Sequence, residues 1–335
     1  MSTPRAAGYR RELLVMLAMA AVLVALPRFL PLIGGYSQLA TRMLIWAIFA
    51  LGFDLLLGFT GLLSFGHAAF WGTGAYVAGY WLLHGSANVV PALLLGAGAV
   101  VVTAVVLGLL TLRRHGIYFS ILTLAFAEML YYAALSPLER WTGGENGLTG
   151  LPTPTLLGWR LEADNIYWAV AAVALIAVYA ARRIVRSPYG LLLRAIRSNE
   201  LRLEATGFHV QRYKLMAFVV SGIYAGVAGS LYAIYETYVP TDSMHWITSG
   251  EVVMMTLIGG SGTLFGPMFG AALVLYLENV LSGWTEQWLL LQGLVFMIVI
   301  IFFPGGVAQL LRRLWARRAS RRLEQRPRTS PARGS

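Results

Sequence analysis

The chain of 335 residues contains no cysteine, which excludes disulfides, thiolate metal sites and a cysteine nucleophile. It is nearly as poor in lysine: of 26 basic residues, all but Lys214 are arginine. Charge of either sign is scarce at 12%, about half the share of an ordinary soluble domain. Nor is there a Gly-x-x-x-x-Gly-Lys-[Ser/Thr] run. Lys214 has no such context, so the chain does not bind ATP through a phosphate loop. No cofactor or metal is expected in it.

What is present is apolar. Hydrophobic residues make up 58% of the chain and the mean hydropathy is +0.66. A helix needs about 20 mostly apolar residues to cross about 30 Å of hydrocarbon. Ten runs qualify as candidates: 13–32, 39–58, 62–83, 89–112, 116–135, 166–185, 213–236, 247–258, 267–283 and 288–304. The eighth is too short to span alone and runs into Gly259, Gly260 and Gly262, which predicts a broken or re-entrant segment. The first is too long for a cleaved signal peptide and lacks the small-residue cleavage site. The expected fold is an all-α polytopic membrane protein of about ten transmembrane helices. Residues 1–311 form one transmembrane domain and 312–335 a basic tail.

The formal net charge of +11 would raise nucleic acid as a partner in a soluble chain. In a membrane protein it reports orientation. With the N-terminus inside, the cytoplasmic segments hold 22 of the 26 basic residues and four acids, while seven acids fall outside. Only Arg28, Arg42, Arg140 and Arg160 oppose the bias. Both termini are therefore expected in the cytoplasm, with no nucleic-acid partner and with anionic lipid near the arginine-rich tail.

Two soluble segments stand out. The external loop 136–165 carries Thr142-Gly143-Gly144-Glu145-Asn146-Gly147-Leu148-Thr149-Gly150-Leu151-Pro152. In the internal loop 186–213, Ser187-Pro188 is a helix start, a capping hydroxyl before proline at the first helical position. A second short helix is expected from Asn199 to a stop at Gly207, with Leu201 and Ala205 four apart on one face. Two turns are unstable alone in water, so that face docks either on the chain's own helices or on a cytoplasmic partner.

Ionisable residues inside a bilayer are costly and are functional suspects. The spans hold Asp54, Glu128, Glu251 and Glu278, joined by His67. Asp54 and His67 flank Gly58, Gly61, Ser64 and Gly66, a glycine density that permits close backbone approach. Two readings stand side by side. His67 and Ser64 either satisfy backbone groups where a helix bends or line a substrate path. Glu251 lies near the external end of its helix and can reach water; Glu128 and Glu278 fit buried contacts between helices. The segment Gly58-Phe59-Thr60-Gly61 looks like Gly259-Gly260-Ser261-Gly262, a likeness too short to establish a repeat. The latter also fits the Gly-x-Ser-Gly pattern of rhomboid intramembrane proteases, whose base follows the serine. None of the five histidines follows Ser261, so no serine enzyme is expected.

Three energy sources remain: a separate ATPase gripping loop 186–213, a proton or sodium site for which Asp54 and Glu128 are the candidates, or uncoupled channel flow.

Four stretches together resemble the permease subunits of bacterial ABC importers for branched-chain amino acids, of the LivM-like type. They are Ala50–Gly58 continuing through Thr60–Phe70, the external run Thr142–Pro152, Arg194–Glu200 through Glu204–Gly207 with Lys214–Phe218, and Ile258–Pro267. The resemblance covers nearly the whole chain after residue 38. It implies the type II importer fold, a homologous second permease subunit, two cytoplasmic ATP-binding subunits that hold ATP and Mg, and a periplasmic solute-binding protein. It also implies a place in the bacterial inner membrane. Loop 186–213 becomes the ATPase-coupling loop, with Arg197, Asn199, Glu200, Leu201, Glu204, Ala205 and Gly207. Glu204-Ala205 is followed by glycine after one residue, a shorter spacing than in many importers. Asp54, Gly58, Gly61, Ser64, Gly66, His67, Gly260 and Gly262 are candidates for the translocation path or helix break. Thr142, Gly143, Gly144 and Gly147 mark the periplasmic loop. The implied cargo is leucine, isoleucine or valine, with urea, short amides or other small organic solutes open.

Overall fold

Apolar runs bounded by glycine and capping residues become helices in the computed structural model, which describes residues 4–302 except 157, together with 305 and 306. In chain order they are α1 (Pro4–Phe29), α2 (Ser37–Thr60), α3 (His67–His84), α4 (Val89–Thr111), α5 (Ile117–Leu135), α6 (Glu139–Thr142), α7 (Ala163–Arg186), α8 (Pro188–Ser198), α9 (Glu200–Ala205), α10 (Val210–Glu236), α11 (Trp246–Gly259), α12 (Gly266–Ser282) and α13 (Trp288–Phe302). Each of the ten apolar runs falls on one of these helices. Among the described residues, six helices are long and apolar enough to cross a membrane: α1, α2, α4, α5, α7 and α10. The basic tail 312–335 lies outside the described residues.

The architecture is that of an all-α polytopic membrane protein, with α2 at its centre. Almost every residue of α2 is buried, from Leu39 to Thr60. It packs against α7, α10, α11 and α12, while α10 in turn packs on α3 and α4. Small residues set these distances. At Gly74 of α3 a Cβ would collide with the backbone of Gly226 in α10, so the two helices touch main chain to main chain. By contrast α13 buries no residue and α1 very little, leaving both on the periphery. Glu12 of α1 is tied to the end of α7 by an ion pair with Arg186 at 2.7 Å.

One sequence expectation needs correction. The third run does not begin as helix at 62. Gly61 ends α2 at φ 79°, and residues 61–66 form a non-helical link before α3 starts at His67. Within the all-α architecture, loop 136–165 carries one small antiparallel hairpin, β1 (Thr155–Leu156) paired with β2 (Trp159–Arg160). The broken eighth run is present, as the 14-residue α11 ends at Gly259 and the chain turns through Gly260 and Gly262 before α12.

Candidate functional site

The inner ends of α2, α8, α11 and α12 converge on one junction. Asp54 lies two turns from the end of α2 and is 1% exposed. Its Oδ1 accepts the Gly262 N–H at 2.7 Å and its Oδ2 the Leu264 N–H at 3.3 Å. These two bonds hold the break between α11 and α12, including Leu264 at φ 68°, a conformation that non-glycine residues resist. A Cβ on Gly58 would collide with Asp54 Oδ1 and Gly262 N, so only glycine fits there. The two glycine-rich segments that look alike in sequence are thus in contact in space.

Loop 186–213 reaches the same point. Arg197, in the last turn of α8, donates from Nη1 to the Gly58 carbonyl. Its Cγ lies 3.2 Å from where a Gly61 Cβ would stand, and its Nη1 lies 3.1 Å from where one on Gly262 would. From α7, the Arg182 guanidinium sits over the Phe265 ring at 5.7 Å. Two arginines therefore grip the break from the basic side of the molecule.

The link 61–66 is held separately. Ser64 Oγ accepts the Gly66 N–H at 3.2 Å. From α5, Thr123 Oγ1 accepts the Phe65 N–H at 3.1 Å and Ser120 Oγ donates to the Leu63 carbonyl at 2.6 Å. The first turn of α3 has its Ala68 N–H bound to Ser249 Oγ at 2.8 Å. His67 is fully buried, its Nε2 2.8 Å from Ser221 Oγ, which itself donates to the Gly52 carbonyl at 2.7 Å. With the hydroxyl proton so committed, Nε2 carries the ring proton and donates. Phe53, Phe70 and Phe218 meet this ring edge to face. His67 and Ser64 therefore sit apart from the Asp54 junction, within packing contacts.

Local sequence explains the form of loop 186–213. Ser187 Oγ accepts the Gly190 N–H at 3.3 Å, capping α8. Asn199 Oδ1 accepts the Arg202 N–H at 2.9 Å, capping α9, and Gly207 stops the segment at φ 87°. No residue of α9 is buried. Leu201 is 77% exposed, and Glu204 and Ala205 also face outward. Glu200 turns inward instead, ion-pairing with Lys214, whose side chain is 2% exposed, and lying 3.7 Å from His115 Nδ1.

At the opposite end the glycine-rich loop is stapled to the α10–α11 connection. Leu148 and Val239 exchange backbone hydrogen bonds at 2.9 and 3.0 Å, and Thr241 Oγ1 donates to the Gly144 carbonyl at 2.6 Å. Thr142 Oγ1 donates to the Ala134 carbonyl at 2.5 Å. Gly143, Gly144 and Gly147 all take positive φ. Glu128 accepts the Trp246 N–H at 3.1 Å and so caps the start of α11. Arg42 and Glu236, counted from sequence as external, form an ion pair at 3.3 Å between α2 and α10.

Sequence reasoning missed Ser120, Thr123, Ser221 and Ser249. One signal existed: hydroxyls three apart on an apolar helix, as at Ser120 and Thr123, lie on one face and mark polar work inside it. No group of three His, Cys, Asp or Glu is placed to hold a metal among the described residues. No histidine hydrogen-bonds to Ser261 among them either.

Residues 35–303 match the family described as branched-chain amino acid transport system / permease component. The chain belongs to this family. The permease is 27% identical to the high-affinity branched-chain amino acid transport system permease protein LivM of Salmonella typhimurium, over 90% of this chain and 76% of that one. LivM of Escherichia coli gives the same identity and coverage. The autoinducer 2 import system permease protein LsrC of Klebsiella pneumoniae is 26% identical over 52% of each chain. No solved structure matches. The permease is thus a multi-pass membrane protein of a transport family, not of an enzyme family.

Proposed function

We propose that this permease is one membrane-spanning subunit of an ATP-driven ABC importer, forming part of the path for branched-chain amino acids or related small organic solutes. It pairs with a homologous second permease, with two cytoplasmic ATP-binding subunits that supply ATP and Mg, and with a periplasmic solute-binding protein, in the bacterial inner membrane. Residues 1–311 form one transmembrane domain of about ten passes, α11 and α12 making the broken segment, with both termini and the tail 312–335 in the cytoplasm.

The observation that carries this reading is the form of loop 186–213. Its short helix α9 is capped and stopped, yet exposes Leu201 and Ala205. A helix of six residues cannot stand alone in water. Its outer face suits a docking ATPase, while Glu200 and Arg197 fasten its inner side to the helix core. Motion imposed on α9 is delivered to Gly58 and, through Asp54, to the break at Gly262. The alternative of a proton-coupled carrier is disfavoured by Asp54, whose two carboxylate oxygens are both engaged by backbone N–H groups.

The decisive experiment is uptake of labelled leucine into cells expressing the complete transporter. ATP depletion abolishes uptake on this reading, and a protonophore at clamped ATP leaves it intact. The reverse result would establish a proton-coupled carrier.

A further inference from the structure

A second polar site lies at the other end of α2. Arg42 and Gly58 are sixteen residues apart on one helix, so about 24 Å separates this site from the junction. Here α2, α3, α10, α11 and α12 surround a cavity of about 210 Å³. Its aromatic wall is Trp46, Trp71 and Tyr232, with ring centroids 4.9 Å apart for the two tryptophans and 5.4 Å for Trp71 and Tyr232. Glu251 and Glu278 also line it, together with Arg42 and with Asp242 from the connection between α10 and α11.

The charges do not balance within the protein. Arg42 is already paired with Glu236. Glu251 and Glu278 make no hydrogen bond or ion pair with any described residue, although both are partly withdrawn from solvent between helices. Arg42 is within electrostatic reach of both as well as of Glu236, so one protein cation serves three carboxylates, a costly excess that a further cation would offset. Aromatic faces beside carboxylates are the setting in which an organic ammonium group is held, since both attract the cation and the rings also accept its alkyl chain. Among the described residues Arg42 supplies the only positive charge on the cavity wall, placed to meet a carboxylate on the same ligand.

We propose that this cavity is a transit subsite for a zwitterionic amino acid, its ammonium group taken by Glu251, Glu278 and the Trp46–Trp71–Tyr232 wall. The assignment rests on reading the cargo as an amino acid. The site also adjoins the Gly-rich external loop, because the connection that carries Pro240 and Asp242 is the one stapled to Gly144 and Leu148. A solute released near that loop therefore meets this cavity.

The lack of cysteine makes the test clean. Thr248→Cys places one thiol on the cavity wall of the full-length chain. In the assembled transporter in proteoliposomes, its modification is followed on this chain by mass with a trimethylammonium and a sulfonate methanethiosulfonate reagent. With each rate divided by that reagent's rate with free 2-mercaptoethanol, the cationic reagent reacts about tenfold faster, the factor that about 1.4 kcal/mol of cation preference gives. L-leucine and isoamylamine slow the labelling and 4-methylpentanoate does not. Glu251→Gln with Glu278→Gln brings the two reagents to equal rates and removes protection; because both reagents act on the same variant, the ratio is independent of how much protein folds. Equal rates before that substitution, or protection by 4-methylpentanoate equal to that by isoamylamine, overturn the site. Protection by isoamylamine without leucine keeps the ammonium site and rejects the amino-acid cargo. Leucine uptake without protection by either amine keeps the cargo and rejects the site.

Discussion

Arg197 donates a hydrogen bond to the carbonyl of Gly58, 139 residues away, and thereby joins loop 186–213 to the end of the deeply buried helix α2. Hydrogen bonds from charged groups are worth about 1.5–3 kcal/mol, or roughly a ten- to hundredfold change in an equilibrium. Arg197→Ala is therefore expected to lower leucine uptake per ATP hydrolysed by at least about tenfold, with the ATPase still turning over. Parallel uptake and phosphate-release assays on the reconstituted complex measure that ratio; an unchanged ratio removes Arg197 from the connection.

Gly58→Ala tests the contact itself. Its new methyl group meets Asp54 Oδ1 and the Gly262 nitrogen. Overpacking of this kind costs about 1–3 kcal/mol. Gly98→Ala is the control, since that position in α4 has open space around it and alanine favours helix by about 1 kcal/mol. In thermal unfolding of purified permease the first substitution lowers the midpoint and the second leaves it level or raises it.

Glu200 and Lys214 form the other fastening. Removing one member of a buried ion pair strands its partner and costs about 3–5 kcal/mol, whereas replacing both with apolar groups is often neutral. Glu200 is a quarter exposed, so the lower figure applies. Glu200→Ala and Lys214→Met each destabilise by about 3 kcal/mol, and Glu200→Ala with Lys214→Met together recovers much of the loss. Unfolding measurements on the three variants would show no such recovery if the pair were incidental.

Ala205→Asp places a charge on the outer face of α9, where surface substitutions change stability by about 0.5 kcal/mol or less. Folding is unchanged, while ATP hydrolysis continues without uptake. Normal uptake by this variant would show that the face meets no ATPase.

Much of this was open to inspection in the sequence, because apolar run length and cap chemistry are local. Ser187-Pro188, Asn199 and Gly207 mark α8 and α9, and each of the ten apolar runs carries a helix. The link 61–66 was not, because Leu62, Leu63 and Phe65 read as membrane span whether or not they are helical. Ser120 and Thr123, brought in by tertiary packing, show where the Leu63 carbonyl and the Phe65 N–H go. The Arg42–Glu236 ion pair was hidden for a related reason, since 194 positions separate its two partners along the chain. That Asp54 engages Gly262 and Leu264 also depends on packing between distant segments, and no local pattern records it.

The helix α2 contains no proline between Ser37 and Thr60, so it lacks the usual cause of a sharp kink. One stiff rod thus carries Arg42 near one end and Gly58 near the other. Its geometry makes it a lever: a tilt of about 5° about the inner end swings Arg42 sideways by about 2 Å over the 24 Å between them. That is enough to part a side chain from a ligand it holds, so a small push at Arg197 can open or close the far aromatic wall.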